Sequence, residues 1–241
     1  YDKGCTFIEL GDGDELWENR SIKMIQAVHS NTFWLLSRFY QENRLYMLYG
    51  NHDMVKKYPR FAEKNCSCYL CSTEETDALF PGITFHSGII LKPSGILWKK
   101  SAVPKDIYLT HGHQADFLNS VLWKTARFLV RYIWKPLEQT GVHDPTSTAR
   151  NYNRKRKIES RLSDWAQKND CILITGHTHR PRLDASDSYC NTGSCVHPRC
   201  ITCIEFDGPY ATLVKWTMTT KADQTLYVSR EILAGPLLPG G

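Results

Sequence analysis

Two histidines stand two residues apart in "LITGHTHRPRL", His177 and His179, directly after an apolar run. Neutral imidazole is the commonest protein ligand for transition metals, so a strand tip carrying two of them points to metal chemistry. A strand turning through Gly176 would aim both rings at one point if the backbone stayed extended between them. Three more apolar runs end in the same way. Thr6–Leu10 is followed by Asp12, Leu45–Tyr49 by Asn51 and His52, and Ile107–Thr110 by His111. With His52 left aside, one carboxylate, one amide and three imidazoles form a mixed oxygen–nitrogen set that suits Mn, Fe, Zn, Co or Ni better than Ca or Mg.

Such side chains can meet only if the strands that carry them share a sheet edge, where ligands of open α/β sheets gather. The pattern between the tips supplies that framework. Apolar spacing predicts helices from Ser21 toward Tyr40 and, more weakly, from Met54 to about Lys64. Ile83–Leu91 reads as extended structure broken at Ser87–Gly88. Late in the chain "SYCNTGS", "CITCIEF" and "YATLVKW" read as consecutive antiparallel strands with turns at Gly193 and Asp207–Gly208–Pro209. Helices and strands alternate early and strands cluster late, which predicts layered α/β architecture.

The motifs resemble those of the calcineurin-like metallophosphoesterase superfamily: "GDGDE" at Gly11–Glu15, "GNHD" at Gly50–Asp53, "THGH" at Thr110–His113 and "GHTH" at Gly176–His179. Four of that family's five motifs occur in order. The resemblance implies an α/β fold, a four-layer α-β-β-α sandwich of two mixed sheets with flanking helices and a helical insert. It implies two divalent transition metals (Mn, Fe or Zn, with Mn preferred) that ionise a water for attack on a phosphate mono- or diester or a pyrophosphate. Asp12 would bridge the metals, Asn51, His111 and His177 would complete one shell, and His179 would serve the other. His52 would stabilise or protonate the departing alkoxide, with Asp53 orienting it. The family's Asp-x-His motif is not found in Tyr1–Leu10, and we expect those ligands to lie upstream of Tyr1. The rival expectation is a binding or scaffold member of the same fold without turnover.

Between the last two motifs, residues 116–168 read as a helical cap or insert within a single domain, 1–241. Lys124, Arg127, Arg131 and Lys135 recur at helical spacing and form one basic stripe, with Pro136 ending or kinking the helix. The stripe could be a solvated face, a cap over the site that binds substrate together with Arg180, or a surface resting on anionic membrane. A second basic cluster, Arg150 and Arg154–Lys157, opens the next helix. "GHTHRP", Trp17 after "GDGDEL" and the helical insert resemble the bacterial UDP-diacylglucosamine pyrophosphohydrolase branch, whereas Asn51-His52 departs from it, since that branch commonly carries arginine after asparagine. A phosphorylated small molecule or a lipid-nucleotide is therefore the expected substrate, with peripheral membrane contact as an option. No nucleic-acid module is recognisable.

The chain has 241 residues and a net charge of +5, mild enough to fit phosphate-bearing partners without requiring them. Nine cysteines without small-scaffold spacing predict a reducing, cytoplasmic setting. Cys66, Cys68 and Cys71 with Cys200 and Cys203 could hold a structural zinc, or "RCITCIEF" could simply be a strand.

Overall fold

The computed structural model describes residues 1–66, 69–70, 76–77, 79–93, 105–138, 152–197 and 199–239. It is mixed α/β, with helices and several sheets, and forms two compact units. One comprises Tyr1–Gly88 and Asp116–Asp144, the other Ile89–Ala115 and Pro145–Gly241.

In the first unit, β1 (Phe7–Glu9) lies parallel to β2 (Leu45–Met47), with Phe7 opposite Leu45 and Glu9 opposite Met47. The crossover between them is helical. The single helix expected over Ser21–Tyr40 is two, α1 (Ile22–Val28) and α2 (Ser30–Gln41), separated at His29. Ser21 caps α1, accepting from the Met24 N–H, as a serine before an apolar-periodic stretch should. Phe33 and Phe39 of α2 pack with Leu45, Met47, Leu79 and Phe80 in one core cluster. Full burial of each such side chain contributes about 1.5–3 kcal/mol.

The second expected helix also divides. Met54–Lys57 forms a 3₁₀ turn, and α3 (Pro59–Asn65) begins at the proline. Tyr58 is extended, as a residue before proline prefers, so one element could not run through. A short antiparallel pair, β3 (Tyr69–Leu70) and β4 (Thr76–Asp77), follows. The helical stretch after Ala115 opens with α4 (Phe117–Ser120) and α5 (Trp123–Leu129). It continues through a π-helical segment, Val130–Trp134, into α6 (Lys135–Glu138). Its buried side chains Trp123, Ala126 and Val130 pack with Trp17 and Met54 in a second cluster.

In the second unit, β5 (Gly88–Leu91), β6 (Ile107–Thr110), β7 (Ile172–Thr175) and β8 (Tyr189–Asn191) form a sheet in that order. Strand β7 is buried along its whole length, as expected of a central parallel strand that reads as an unbroken apolar run. Helix α7 (Tyr152–Lys168) places Ile158, Leu162 and Ala166 on one face against Cys171, Leu173 and Tyr189. Only β9 (Cys200–Asp207), β10 (Tyr210–Thr220) and β11 (Leu226–Leu237) form the antiparallel meander.

Two expectations need correction. β8 runs parallel to β7 rather than opening the meander, because Arg180–Ser188 returns the chain to the start of the sheet instead of reversing it. β11 extends the late cluster beyond the three strands expected there. The zinc reading fares no better where it can be followed. Cys200 and Cys203, three apart on β9, face opposite sides of the strand. Cys68 and Cys71 lie outside the described residues. Cys5, Cys66, Cys171, Cys190, Cys200 and Cys203 are free thiols. Among described helices none is long and apolar enough to cross a membrane.

Candidate active site

The parallel register of β1 and β2 brings the "GDGDE" and "GNHD" tips side by side. They touch through backbone. A Cβ on Gly11 would lie 2.5 Å from the Gly50 nitrogen, and one on Gly50 would lie 2.1 Å from Asp12 Oδ1, so neither position admits a side chain. Asp12 itself has φ 60°, a left-handed conformation that a non-glycine residue adopts at a cost. Its Oδ1 accepts the His52 backbone N–H at 2.8 Å. Asp53 fastens both tips together: its Oδ1 accepts from Gly50 N at 2.6 Å and from Asp12 N at 3.3 Å.

The other Asp53 oxygen is 2.7 Å from Lys56 Nζ, and Asp14 Oδ2 is 2.8 Å from the same nitrogen. Lys56 is only 3% exposed. Burial works against its charge, but Asp14, Asp53 and Glu9 outweigh that and hold its pKa well above the ordinary lysine value. The cation cannot satisfy three carboxylates. Burial pushes Glu9 up to about 7, against the pull of Lys56.

The expected partner of the His52 ring is not the actual one. Asp53 is committed to backbone and to Lys56, whereas Glu15 Oε2 lies 2.6 Å from His52 Nδ1. Consecutive residues in a tight turn point apart, so His52 turns toward the first motif and Asp53 toward the interior. Glu15 is itself fixed, its Oε1 accepting from Trp17 N at 3.0 Å and Glu18 N at 3.1 Å. The indole of Trp17 stacks on the imidazole with 4.4 Å between ring centres and 25° between planes. Burial opposes protonation of His52, but the carboxylates of Asp12 and then Glu15 outweigh it, and the pKa rises to about 9. The ring is thus a cation at neutral pH, with Nδ1 engaged and Nε2 left to give a proton. Glu15 stood in the quoted motif and Trp17 just after it, without a sign that either would meet His52; nothing in the sequence marked Lys56.

In the second unit the same construction recurs. β6 and β7 are parallel, and His111 and Gly176 at their ends are joined by a backbone bond, Gly176 N to His111 O at 3.1 Å. His111, His113 and His177 are all buried, and His177 Nδ1 lies 3.2 Å from His111 Nε2. The backbone does not stay extended between His177 and His179: both are left-handed, with φ 60° and 55°. His177 is therefore buried and His179 half-buried, rather than both aiming alike.

A buried polar network holds this turn. Asn191, at the end of β8, donates from Nδ2 to Gly176 O at 2.6 Å and reaches Thr178 Oγ1 at 3.1 Å, while its Oδ1 accepts from Gly193 N at 2.8 Å. Thr178 in turn donates to Glu159 of α7 at 2.8 Å. Arg180 meets the other Glu159 oxygen at 3.3 Å, so part of its donor capacity is spent within the fold. Asn191→Leu would keep the volume and strand both a carbonyl and an N–H. A loss of about 3 kcal/mol in urea unfolding is expected.

Of the basic stripe, Lys124 is exposed and Arg127 sits over the Trp123 ring, 5.0 Å from its centre. Arg131 and Lys135 turn instead onto backbone carbonyls of the Leu16–Asn19 loop. Arg154–Lys157 open α7, and Arg150 lies outside the described residues.

The sequence matches the calcineurin-like phosphoesterase family over residues 7–181, most of the chain. The chain belongs to that family. No curated protein and no solved structure matched it. Calcineurin-like phosphoesterases depend on divalent metals, and Asp12 in the first unit and His111 and His177 in the second are side chains of the types that hold them. The donor chemistry fits a cation in one further respect. The Asn51 side chain, 1% exposed, has an amide oxygen with no hydrogen-bond partner among the described residues. A buried acceptor left without a proton donor is costly unless something else uses it.

Proposed function

We propose that this chain hydrolyses phosphate esters, with divalent cations held by Asp12, Asn51, His111 and His177 and a second site served by Asp12 and His179. The observation that carries the reading is the orphan amide oxygen of Asn51 next to a histidine clamped by Glu15 and Trp17. When bound, the cations supply Lewis-acid polarisation of a phosphoryl oxygen and lower the pKa of water near neutrality. The remaining chemistry belongs to the chain. Imidazolium at His52 donates from Nε2 to the departing oxygen, which an alkoxide needs in order to leave. Glu15 fixes the Nδ1 proton and stabilises the charge, and Trp17 fixes the ring plane.

An amphiphilic phosphate is the substrate class we favour. A recess of about 270 Å³ is lined by Lys124, Arg127, Phe128, Tyr132 and the stem of Arg131, whose guanidinium is turned onto the Leu16–Asn19 carbonyls, so that Lys124 and Arg127 are the cations set beside aromatic rings there. Such a surface suits an anionic head carrying an apolar body.

The test begins with chelator-stripped protein reloaded with Mn²⁺, Fe²⁺ or Zn²⁺ and metal stoichiometry measured. Turnover is then assayed on p-nitrophenyl phosphate, its bis ester, a pyrophosphate and a lipid-nucleotide. Metal-dependent turnover of at least one is expected, with Asp12→Asn and His177→Gln binding less metal. Metal-loaded protein that turns over none of them refutes the reading.

A further inference from the structure

The Leu16–Asn19 loop, which carries the ring stacked on His52, is gripped from the helical stretch more than a hundred residues later. Arg131 donates from Nε to Trp17 O at 2.8 Å and from Nη2 to Leu16 O at 2.5 Å, with Asn19 O at 3.4 Å. Lys135 Nζ donates to Glu18 O at 3.0 Å. Four consecutive carbonyls therefore face two cationic side chains of one helical segment. The Trp17 ring is held as well: it packs with Trp123, Ala126 and Val130 of the same segment, while stacking on His52.

The backbone at this place is unusual. Val130–Trp134 is π-helical, and the Lys135 N–H reaches back five residues to Val130 O. Pro136 has no N–H to give the Tyr132 carbonyl, so an ordinary turn could not close there. π-Segments inside α-helices are rare and often accompany functional sites. This one sets Arg131 and Lys135 side by side against the loop.

We propose that the helical insert is a positioning device for the proton donor: Arg131 fixes the Leu16–Asn19 loop and so keeps Trp17 pressed on the His52 imidazole. The inference rests on the reading of His52 as the group that protonates the leaving oxygen. Arg131 is a positioning residue and touches no substrate in this role. A planar guanidinium suits the task because it spans carbonyls of several residues at fixed geometry, which a single ammonium cannot do.

Two readouts test this on the full chain. In metal-free protein with isotope-labelled histidine, the His52 ring protons carry an upfield ring-current shift from the stacked indole, and Arg131→Met should abolish it. In metal-loaded protein Arg131→Met should slow an alkyl phosphate ester about 10–10²-fold while a nitrophenyl ester stays within ~3-fold, because only the alkoxide needs the positioned proton. Arg131→Lys keeps the charge but not the span, and should fall between wild type and Arg131→Met on both readouts. It serves as the test should Arg131→Met fail to fold. Equal losses on both esters, or an unmoved His52 resonance, overturn the proposal. If His52→Ala itself fails to separate the two esters, the hydrolytic reading is at fault, and the resonance readout still decides whether Arg131 holds the loop.

Discussion

Lys56→Met is expected to cost about 3–5 kcal/mol of stability, the range for removing one partner from a buried ion cluster. The side chain is buried, and its ammonium is the cation facing Asp14, Asp53 and, at longer range, Glu9. Methionine fills the volume and leaves the carboxylates without compensation. The pH dependence identifies the cause. Raised above the ordinary value, the Lys56 pKa contributes stability that is fully present below pH 10.5 and lost only as pH climbs through the folded value. Wild type therefore does not feel this pair across the neutral range. Glu9, raised from 4.5 to about 7, acts differently: its contribution is full below 4.5 and fades as pH rises through 7. In the variant the carboxylates lose their cation, and Glu9 and Asp53 already have raised pKa values, so the deficit should be greatest near pH 8 and shrink toward pH 5 as those two take up protons. Urea unfolding of both proteins at the two pH values measures it. A deficit that does not change with pH would mean that lost packing, not unpaired charge, is responsible.

Much of this site was legible because the sequence states where strands end. An apolar run stopped by glycine and a polar residue is a strand tip, and the four tips carrying Asp12, Asn51, His111 and His177 all lie where they were expected. Direction was less legible. β8 carries the same residue types whether it runs with or against β7, and only the path of the connection decides. Adjacency in sequence was misleading at His52, whose neighbour Asp53 shares its turn but not its orientation, while Glu15 is far away along the chain. Helical spacing correctly predicted that Arg131 and Lys135 share a face. It carried no information on what that face would meet, because the Leu16–Asn19 carbonyls are backbone atoms and leave no mark in residue type. Asn191 escaped notice for a related reason: a buried amide that satisfies a turn resembles any other polar residue after a strand.

Glu15→Gln should reduce turnover of alkyl phosphate esters about 10²-fold, the lower end of what a positioned general acid contributes. The exchange is nearly isosteric. Glutamine can still accept the Trp17 and Glu18 N–H groups through one oxygen, which keeps the loop in place. What it removes is the anion 2.6 Å from His52 Nδ1, and it sets an amide N–H₂ against the ring N–H. Asp12 still favours the cation, but with Glu15 neutral the pKa of His52 should drop from about 9 toward the ordinary 6.5. Histidine resonances of the metal-free protein, followed through a pH titration, report that drop directly. The sign for stability follows. A histidine with a raised pKa stabilises the fold fully below 6.5 and progressively less as pH passes through 9, so the variant should be less stable than wild type at pH 6 and converge with it above pH 9. Nitrophenyl esters, whose leaving group departs without a proton, should be slowed far less than alkyl esters. If the His52 pKa stays near 9 in Glu15→Gln, the carboxylate does not set the charge on the ring. If both ester classes slow alike, His52 is not the proton donor, and Glu15 serves the loop rather than the reaction.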